Sequence, residues 1–243
     1  MLRLLTFVIS HFSEKARWTL DLSGLDYSER YLLPGPHMLV TRRLAPRTSV
    51  PILQHDDRVV QGSQAILDYV EEQLGVTHLA PPPALAAECA RLETLVDKAF
   101  GLGIQQILYD TLLKEPKLVI GLWTQRGPSY GRALYAVAYP VIASTIRRMY
   151  RIQPDVVQRA KDRFRSAMDE TDRALDGKPY LLGDRLTRAD VSVAALLAPV
   201  CRPPEHLLRW PQMPEHTQAF IREFEDRPTY RHVLRLYRDH RRS

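Results

Sequence analysis

Apolar and polar positions change rhythm along this chain. Residues 2–8 are a short apolar run of strand length, broken by Ser10 and His11. A helical rhythm follows: Trp18, Leu20, Leu22 and Leu25 supply apolar surface. Ser13 is its candidate N-cap, Glu14 lies in its first turn and Gly24 is a suitable stop. Residues 27–33 read as a second strand, ended by Pro34-Gly35-Pro36, and an irregular stretch runs on to Ser49. Val50-Pro51-Ile52-Leu53 then faces Val59-Val60 across the polar turn 55–58, which predicts a hairpin. A helix starts near Ser63 and stops at Gly75. The order β-α-β, loop, β-β-α predicts a four-stranded mixed α/β sheet.

Pro81-Pro82-Pro83 marks a stiff linker, placed at 77–84, between a first domain at 1–76 and a second at 85–243. Beyond it the period is helical throughout: residues 85–113, 134–152, 156–175, 187–197 and 217–224 predict an all-α bundle. The stretch 121–140 is Tyr-rich and interrupted by Gly and Pro, and reads either as a lid or as an extension at a subunit interface.

Composition narrows the classes. With 243 residues, 45% hydrophobic and 26% charged, the chain is globular rather than disordered or fibrous. No run approaches the roughly 18 apolar residues of a membrane span. The opening Met1-Leu2-Arg3-Leu4-Leu5 resembles a strand more than a signal peptide, so a soluble cytoplasmic protein is expected. Two cysteines, Cys89 and Cys201, and scattered histidines point to neither a disulfide framework nor a metal site. The net charge of +6 gathers in a tail with Arg227, Arg231, Arg235, Arg238, Arg241 and Arg242, which reads as a solvated terminal helix. No motif with aromatic stacking platforms argues for nucleic acid.

Three places can carry chemistry. Ser10 and Ser13 lie at a strand-to-helix turn, where free N–H groups and the helix dipole favour negative charge. Hydroxyls there either cap the helix or hold a thiolate. A free thiol, with a pKa of about 8.5, is only slightly ionised at neutral pH without such help. Val50-Pro51 is either a cis bond that turns the Val50 backbone outward or an ordinary trans edge proline. Gln61-Gly62-Ser63 opens a helix, as a cap, an anion pocket, or both.

The order of these segments resembles the cytosolic glutathione transferases. The resemblance is carried by Ser10-His11-Phe12-Ser13-Glu14-Lys15-Ala16-Arg17, by Ala45-Pro46 through Val50-Pro51-Ile52-Leu53, and by Gly62-Ser63-Gln64-Ala65-Ile66-Leu67-Asp68-Tyr69. It is also carried by Tyr180-Leu181-Leu182-Gly183-Asp184 with Leu186-Thr187-Arg188-Ala189-Asp190-Val191, where Thr187 and Asp190 match an N-capping box. The resemblance implies a thioredoxin-like N-terminal domain and a helical C-terminal domain. It also implies a homodimer and glutathione as co-substrate, used to conjugate or reduce a small hydrophobic electrophile.

By that likeness Ser10 is the catalytic residue of a serine-type site and Ser13 a secondary one. His37, Val50, Pro51, Gln61, Gly62 and Ser63 contact glutathione. Phe12, Tyr109 and Trp123 wall the electrophile pocket, with Tyr130, Tyr135 and Tyr139 as further aromatic candidates. The chain departs from the family in having His11 where proline is frequent and Gly62 where an acid is usual. Two hydroxyls in place of a Cys-x-x-Cys exclude dithiol exchange. The alternative use of the same fold is a non-catalytic binding or partner-docking protein.

Overall fold

Alternation along β1 (Leu2–Thr6) sends its side chains to two different cores. Leu2 and Leu4 join Leu53 against Ala16 and Leu20 of α1 (His11–Ser23) and Ile66 and Val70 of α3 (Ser63–Glu72). Leu5, on the other face, meets Ile52 and Leu32, with Val40, Leu44 and Ala45 packed around them. The computed structural model describes residues 1–241. Its sheet adds β2 (Tyr27–Tyr31), β3 (Ile52–His55) and β4 (Arg58–Gln61), in the order β2-β1-β3-β4. β1 runs parallel to β2 and antiparallel to β3, and β3 and β4 form the antiparallel hairpin. This is the mixed βαβ-ββα sheet expected. The loop before β3 holds one short helix the pattern did not predict, α2 (Met38–Thr41).

The first helix begins three residues earlier than its sequence suggests. Ser10 is the N-cap of α1, in extended conformation, and its side chain accepts the N–H of Ser13. Ser13 is therefore inside the first turn and not the cap. Likewise Gly62, at φ 102°, is the N-cap of α3, and Ser63 is its first helical residue. That φ suits glycine and strains an L-residue.

The remainder is helical. A 3₁₀ turn (Pro83–Leu85) leads into α4 (Ala86–Val96), a π-helical turn (Asp97–Leu102) and α5 (Gly103–Leu112), where one helix over 85–113 was expected. Then come α6 (Pro116–Thr124), α7 (Gly131–Met149), α8 (Pro154–Leu175), α9 (Arg188–Cys201), α10 (Glu215–Arg222) and α11 (Pro228–His240). The Tyr-rich stretch is thus mostly two helices joined by a turn. Every residue of α9 is buried, and α1, α4 and α11 pack around it. Its start carries the expected box: Asp190 accepts the Thr187 N–H at 2.9 Å and, through its other oxygen, the Leu181 N–H at 2.9 Å.

The arginine-rich end differs from the solvated helix expected. Arg241 is buried, its guanidinium 2.8 Å from Glu14 and 2.5 Å from Asp21, both on α1. Arg227 binds Asp172 and Asp169 of α8. Arg235 donates to the Pro179 carbonyl and lies over the Tyr180 ring. These arginines fasten the last helix to the body of the protein. Arg242 lies outside the described residues. Among the described residues no helix is long and apolar enough to cross a membrane.

Candidate functional site

The turn between β1 and α1 faces a cavity of about 550 Å³ bounded by both halves of the chain. One side is the sheet end of the first half: Phe7, Ser10, His11, Phe12, His37 and the Thr48-Ser49-Val50 edge. The other side is two helical rows. Ile104, Leu108 and Leu112 recur every four residues on α5, and Ile142, Ile146 and Tyr150 recur every four residues along α7 and its C-cap. Trp210 and Met213, from the segment between α9 and α10, complete that side.

Ser10 sits at the rim shared by the two sides. Its oxygen accepts the Ser13 N–H at 3.1 Å, and its own hydroxyl hydrogen has no acceptor among the described residues. A hydroxyl so placed can donate to an anion in the cavity while the first turn of α1 adds its dipole. Ser13 does not share this position. It is fully buried, its hydroxyl is unpartnered, and it does not border the cavity.

The Val50–Pro51 peptide bond is cis. The Gly62 N–H donates to the Pro51 carbonyl at 3.0 Å, so the strand edge and the tip of α3 are held side by side. The Gln61 side chain is used inside the protein: its amide donates to the carbonyls of Arg47 at 2.6 Å and Ser49 at 2.8 Å, and its carbonyl accepts the Arg47 N–H. Ser63 is 5% exposed and makes no side-chain hydrogen bond among the described residues. The Arg47 guanidinium lies 4.0 Å from where a side chain at Gly62 would begin. Gln61, Gly62 and Ser63 lie beside the cavity rather than in its wall.

His37 stands edge-on to Phe7 at 4.7 Å. Its Nδ1 accepts the Gly35 N–H at 3.0 Å, so the ring proton sits on Nε2. Partial burial lowers its pKa, against the opposing carbonyls of Thr48 and Leu33.

The aromatic candidates separate cleanly. Phe12 and Tyr109 line the cavity. Trp123 does not: it is 1% exposed, behind Tyr109, and its Nε1 donates to the Tyr109 hydroxyl at 3.3 Å. Tyr135 and Tyr139 also belong to the core, their hydroxyls donating to the carbonyls of Pro34 and Leu113. Tyr130 is exposed and outside the wall.

His11 was singled out only as a departure from proline, yet it is a wall residue. It is 4% exposed, and its Nε2 lies 3.1 Å from the Gly101 carbonyl in the π-helical turn. Burial pushes its pKa down to about 4, with the Gly101 carbonyl opposing and His206 adding to the shift. His206 is likewise lowered to about 4, by burial first, with Glu14 opposing. Trp210, Met213 and the α7 row had no motif in the sequence; only four-residue spacing hinted at the α7 row.

Two family models match these two halves. The glutathione S-transferase N-terminal domain matches residues 4–78 and the C-terminal domain matches residues 154–238. The chain is 22% identical over 201 residues to the TCHQD glutathione S-transferase of Arabidopsis thaliana, covering 76% of this chain and 72% of that protein. Among solved structures it superposes on a glutathione S-transferase of Ceriporiopsis subvermispora, in complex with glutathione. That match has a TM-score of 0.68 and 15% identity, over 100% of this chain and 98% of the other. The beta-etherase LigF of Sphingobium sp. matches with a TM-score of 0.64 and 20% identity, over 96% and 98% of the two chains. These structural likenesses speak to the fold, and the fold is the thioredoxin-like sheet followed by helices. With both domain models matched in order along it, the chain belongs to the glutathione S-transferase family.

Proposed function

We propose that this protein binds glutathione with its sulfur beside Ser10 and transfers it to a small hydrophobic electrophile. The observation that carries the reading is the shared cavity. Ser10, with a hydroxyl hydrogen free to donate, opens onto the same space as the Val50 edge and the apolar rows of α5 and α7. The Ser10 hydroxyl and the α1 dipole favour the thiolate over the thiol. The Val50 backbone is available to pair with the cysteinyl part, and the free N–H groups at the start of α3, with Ser63, are suited to the γ-glutamyl carboxylate. His37, with its proton on Nε2, can donate toward the glycyl end. The thiolate then attacks the electrophile: a C–S bond forms, and the leaving group departs with its electron pair. No residue of the chain needs to change oxidation state.

A second copy of the chain is the expected partner. Val137 and Val141 on α7 are 85% and 71% exposed, which supports an apolar interface there. Cytoplasmic residence remains part of the same proposal.

The test is direct. Glutathione at millimolar concentration should raise Tm, and a generic aryl halide should be turned over. No shift together with no turnover rejects the reading. Ser10→Ala at full activity removes Ser10 from the catalytic role.

A further inference from the structure

The tip of α3 is rich in hydrogen-bond donors and has a cation beside it. The N–H groups of Ser63, Gln64 and Ala65 open the helix, and none meets an acceptor among the described residues. The first bond of the helix runs from the Ile66 N–H to the Gly62 carbonyl at 3.0 Å. Gly62, the N-cap, has no side chain with which to cap them. Ser63 is buried, yet its hydroxyl is unpartnered among the described residues and its oxygen is not closed off from solvent. The cation is Arg47. Its exposed guanidinium makes no ion pair among the described residues and lies 4.0 Å from where a side chain at Gly62 would begin. The Gln61 side chain bonds both the N–H and the carbonyl of Arg47 and the carbonyl of Ser49, so it pins the backbone that carries this charge.

The carboxylates around this tip are committed elsewhere. On α3, Asp68 and Glu71 pair with Arg188, and Glu72 stands at the far end of the helix, about 13 Å away. Glu93 of α4 pairs with Arg188 and takes the Gln64 amide, and Asp97 pairs with the buried Lys15 at 3.0 Å. On α1, Glu14 pairs with Arg17 and Arg241, and Asp21 with Arg241. The carbonyls at the strand edge are also taken, Pro51 by the Gly62 N–H and those of Arg47 and Ser49 by Gln61. Arg47 therefore adds a full positive charge to the partial positive charge of the helix start. Such a place attracts a carboxylate and repels an ammonium. The γ-glutamyl end of glutathione carries both, on one carbon.

We propose that Arg47 is a specificity residue, which selects at the α3 tip a thiol peptide whose terminal carboxylate has no free ammonium beside it. Glutathione-like thiols with that amine blocked or missing are then the preferred co-substrates. This rests on the glutathione-binding reading given above and names which form of the thiol the same site takes. Gly62 serves the selection by leaving open the space between the guanidinium and the helix start.

The experiment titrates the full-length protein by calorimetry with three thiols. They are glutathione, its deamino analogue glutaryl-cysteinylglycine, and its decarboxy analogue γ-aminobutyryl-cysteinylglycine. The deamino compound should bind at least as tightly as glutathione, by up to about fivefold. The decarboxy compound should bind about ten- to hundredfold more weakly. Arg47→Gln should weaken the deamino compound about two- to fivefold and glutathione by less. It should leave the decarboxy compound unchanged or tighter, because a repelling charge is gone. A deamino compound weaker than glutathione overturns the proposal and leaves the transferase reading standing. So does an Arg47→Gln variant of wild-type Tm that weakens all three alike. The wild-type ranking decides by itself if the variant fails to fold. Binding of the deamino compound without glutathione sinks glutathione as co-substrate and keeps the role of Arg47. Binding of none of the three sinks the transferase reading, and the proposal falls with it.

Discussion

The hydroxyl oxygen of Ser10 accepts the backbone N–H of Ser13 at 3.1 Å at the rim of the cavity, so one side chain caps α1 and, in the proposed function, also donates to the glutathione sulfur. The two duties predict two separable losses in Ser10→Ala. The cap is worth about 1 kcal/mol, a fall in Tm of about 2–4 °C for a chain of this size. A hydrogen bond to a charged sulfur is worth about 1.5–3 kcal/mol, so kcat/KM at neutral pH should drop about ten- to hundredfold. The acid limb of the pH–rate profile should rise by about one to two pH units as the bound thiol regains its ordinary pKa. KM for glutathione should change little. A variant that loses stability but keeps its pH profile would leave Ser10 a cap and nothing more.

Gly101 is where the helical half touches the turn between β1 and α1. A Cβ at this position would stand 2.3 Å from the tip of the Phe12 ring, and the Gly101 carbonyl holds His11. Gly101→Ala must therefore displace Phe12 or open the π-helical turn, at a cost of about 1–3 kcal/mol. Phe12→Leu should recover much of that loss when combined with Gly101→Ala, although alone it removes cavity wall. Thermal melts of the two single variants and the double variant measure the coupling. Additive losses would mean that the ring and the glycine do not set each other's position.

These contacts also mark what the sequence could and could not disclose. Strands and long helices were legible because periods of two and about 3.6 residues differ over even one element, as Leu2 and Leu4 against Leu5 and Ile52 illustrate. The four-residue α2 is too short to show a period. The turn Ser10-x-x-Ser13 offers two hydroxyls with equal claims to the cap, and only the backbone conformation decides between them. Trp123 and Tyr109 are both aromatic residues on neighbouring helices; which one meets the cavity depends on how α5 and α6 rotate against each other, and one sequence does not encode that separately. Glu14, Lys15 and Arg17 are three charged residues near the start of one helix, and all three are buried. Their partners lie on other elements, such as Arg241 for Glu14 and Asp97 for Lys15.

Buried neutral histidines predict a loss of stability on mild acidification. His11 and His206 both fall from 6.5 to about 4, chiefly through burial. Below pH 6.5 the unfolded chain takes up protons at these rings while the folded protein does not, so stability decreases as pH falls. The decrease ends near pH 4, where the folded rings also protonate. Each ring contributes about 3 kcal/mol across that window. His37 and His240 are lowered too and act in the same sense. Tm should fall by about 10–20 °C between pH 7 and pH 4.5, before most carboxylates titrate. Glu14 adds a later loss. Burial opposes its ionisation, but His206, Arg241 and Arg17 hold its pKa below the usual range, so its stabilisation disappears only in stronger acid. His206→Asn should flatten the first window, and a Tm that is constant from pH 7 to 4.5 would show these rings to be solvated.

Arg188, at the start of α9, ties the sheet half to the helical half. Its guanidinium contacts Asp68 and Glu71 of α3 and Glu93 of α4, the last at 3.1 Å, and Ser192 adds a hydrogen bond to Glu93. Glu93 is 5% exposed. Gln64, the second residue of α3, bonds both Glu93 and Lys15, so the same network reaches the helix tip beside Val50. Removing the one cation shared by three carboxylates leaves a buried negative charge unpaired, and a broken buried pair costs about 3–5 kcal/mol. Arg188→Met should therefore destabilise by that amount, whereas Arg188→Met combined with Glu93→Gln should regain part of it by deleting the stranded charge. Because α3 presents the proposed carboxylate-binding N–H groups, the single variant should also raise KM for glutathione more than it lowers kcat. A destabilised variant with unchanged KM would confine the network to holding the two halves together, with no share in placing α3.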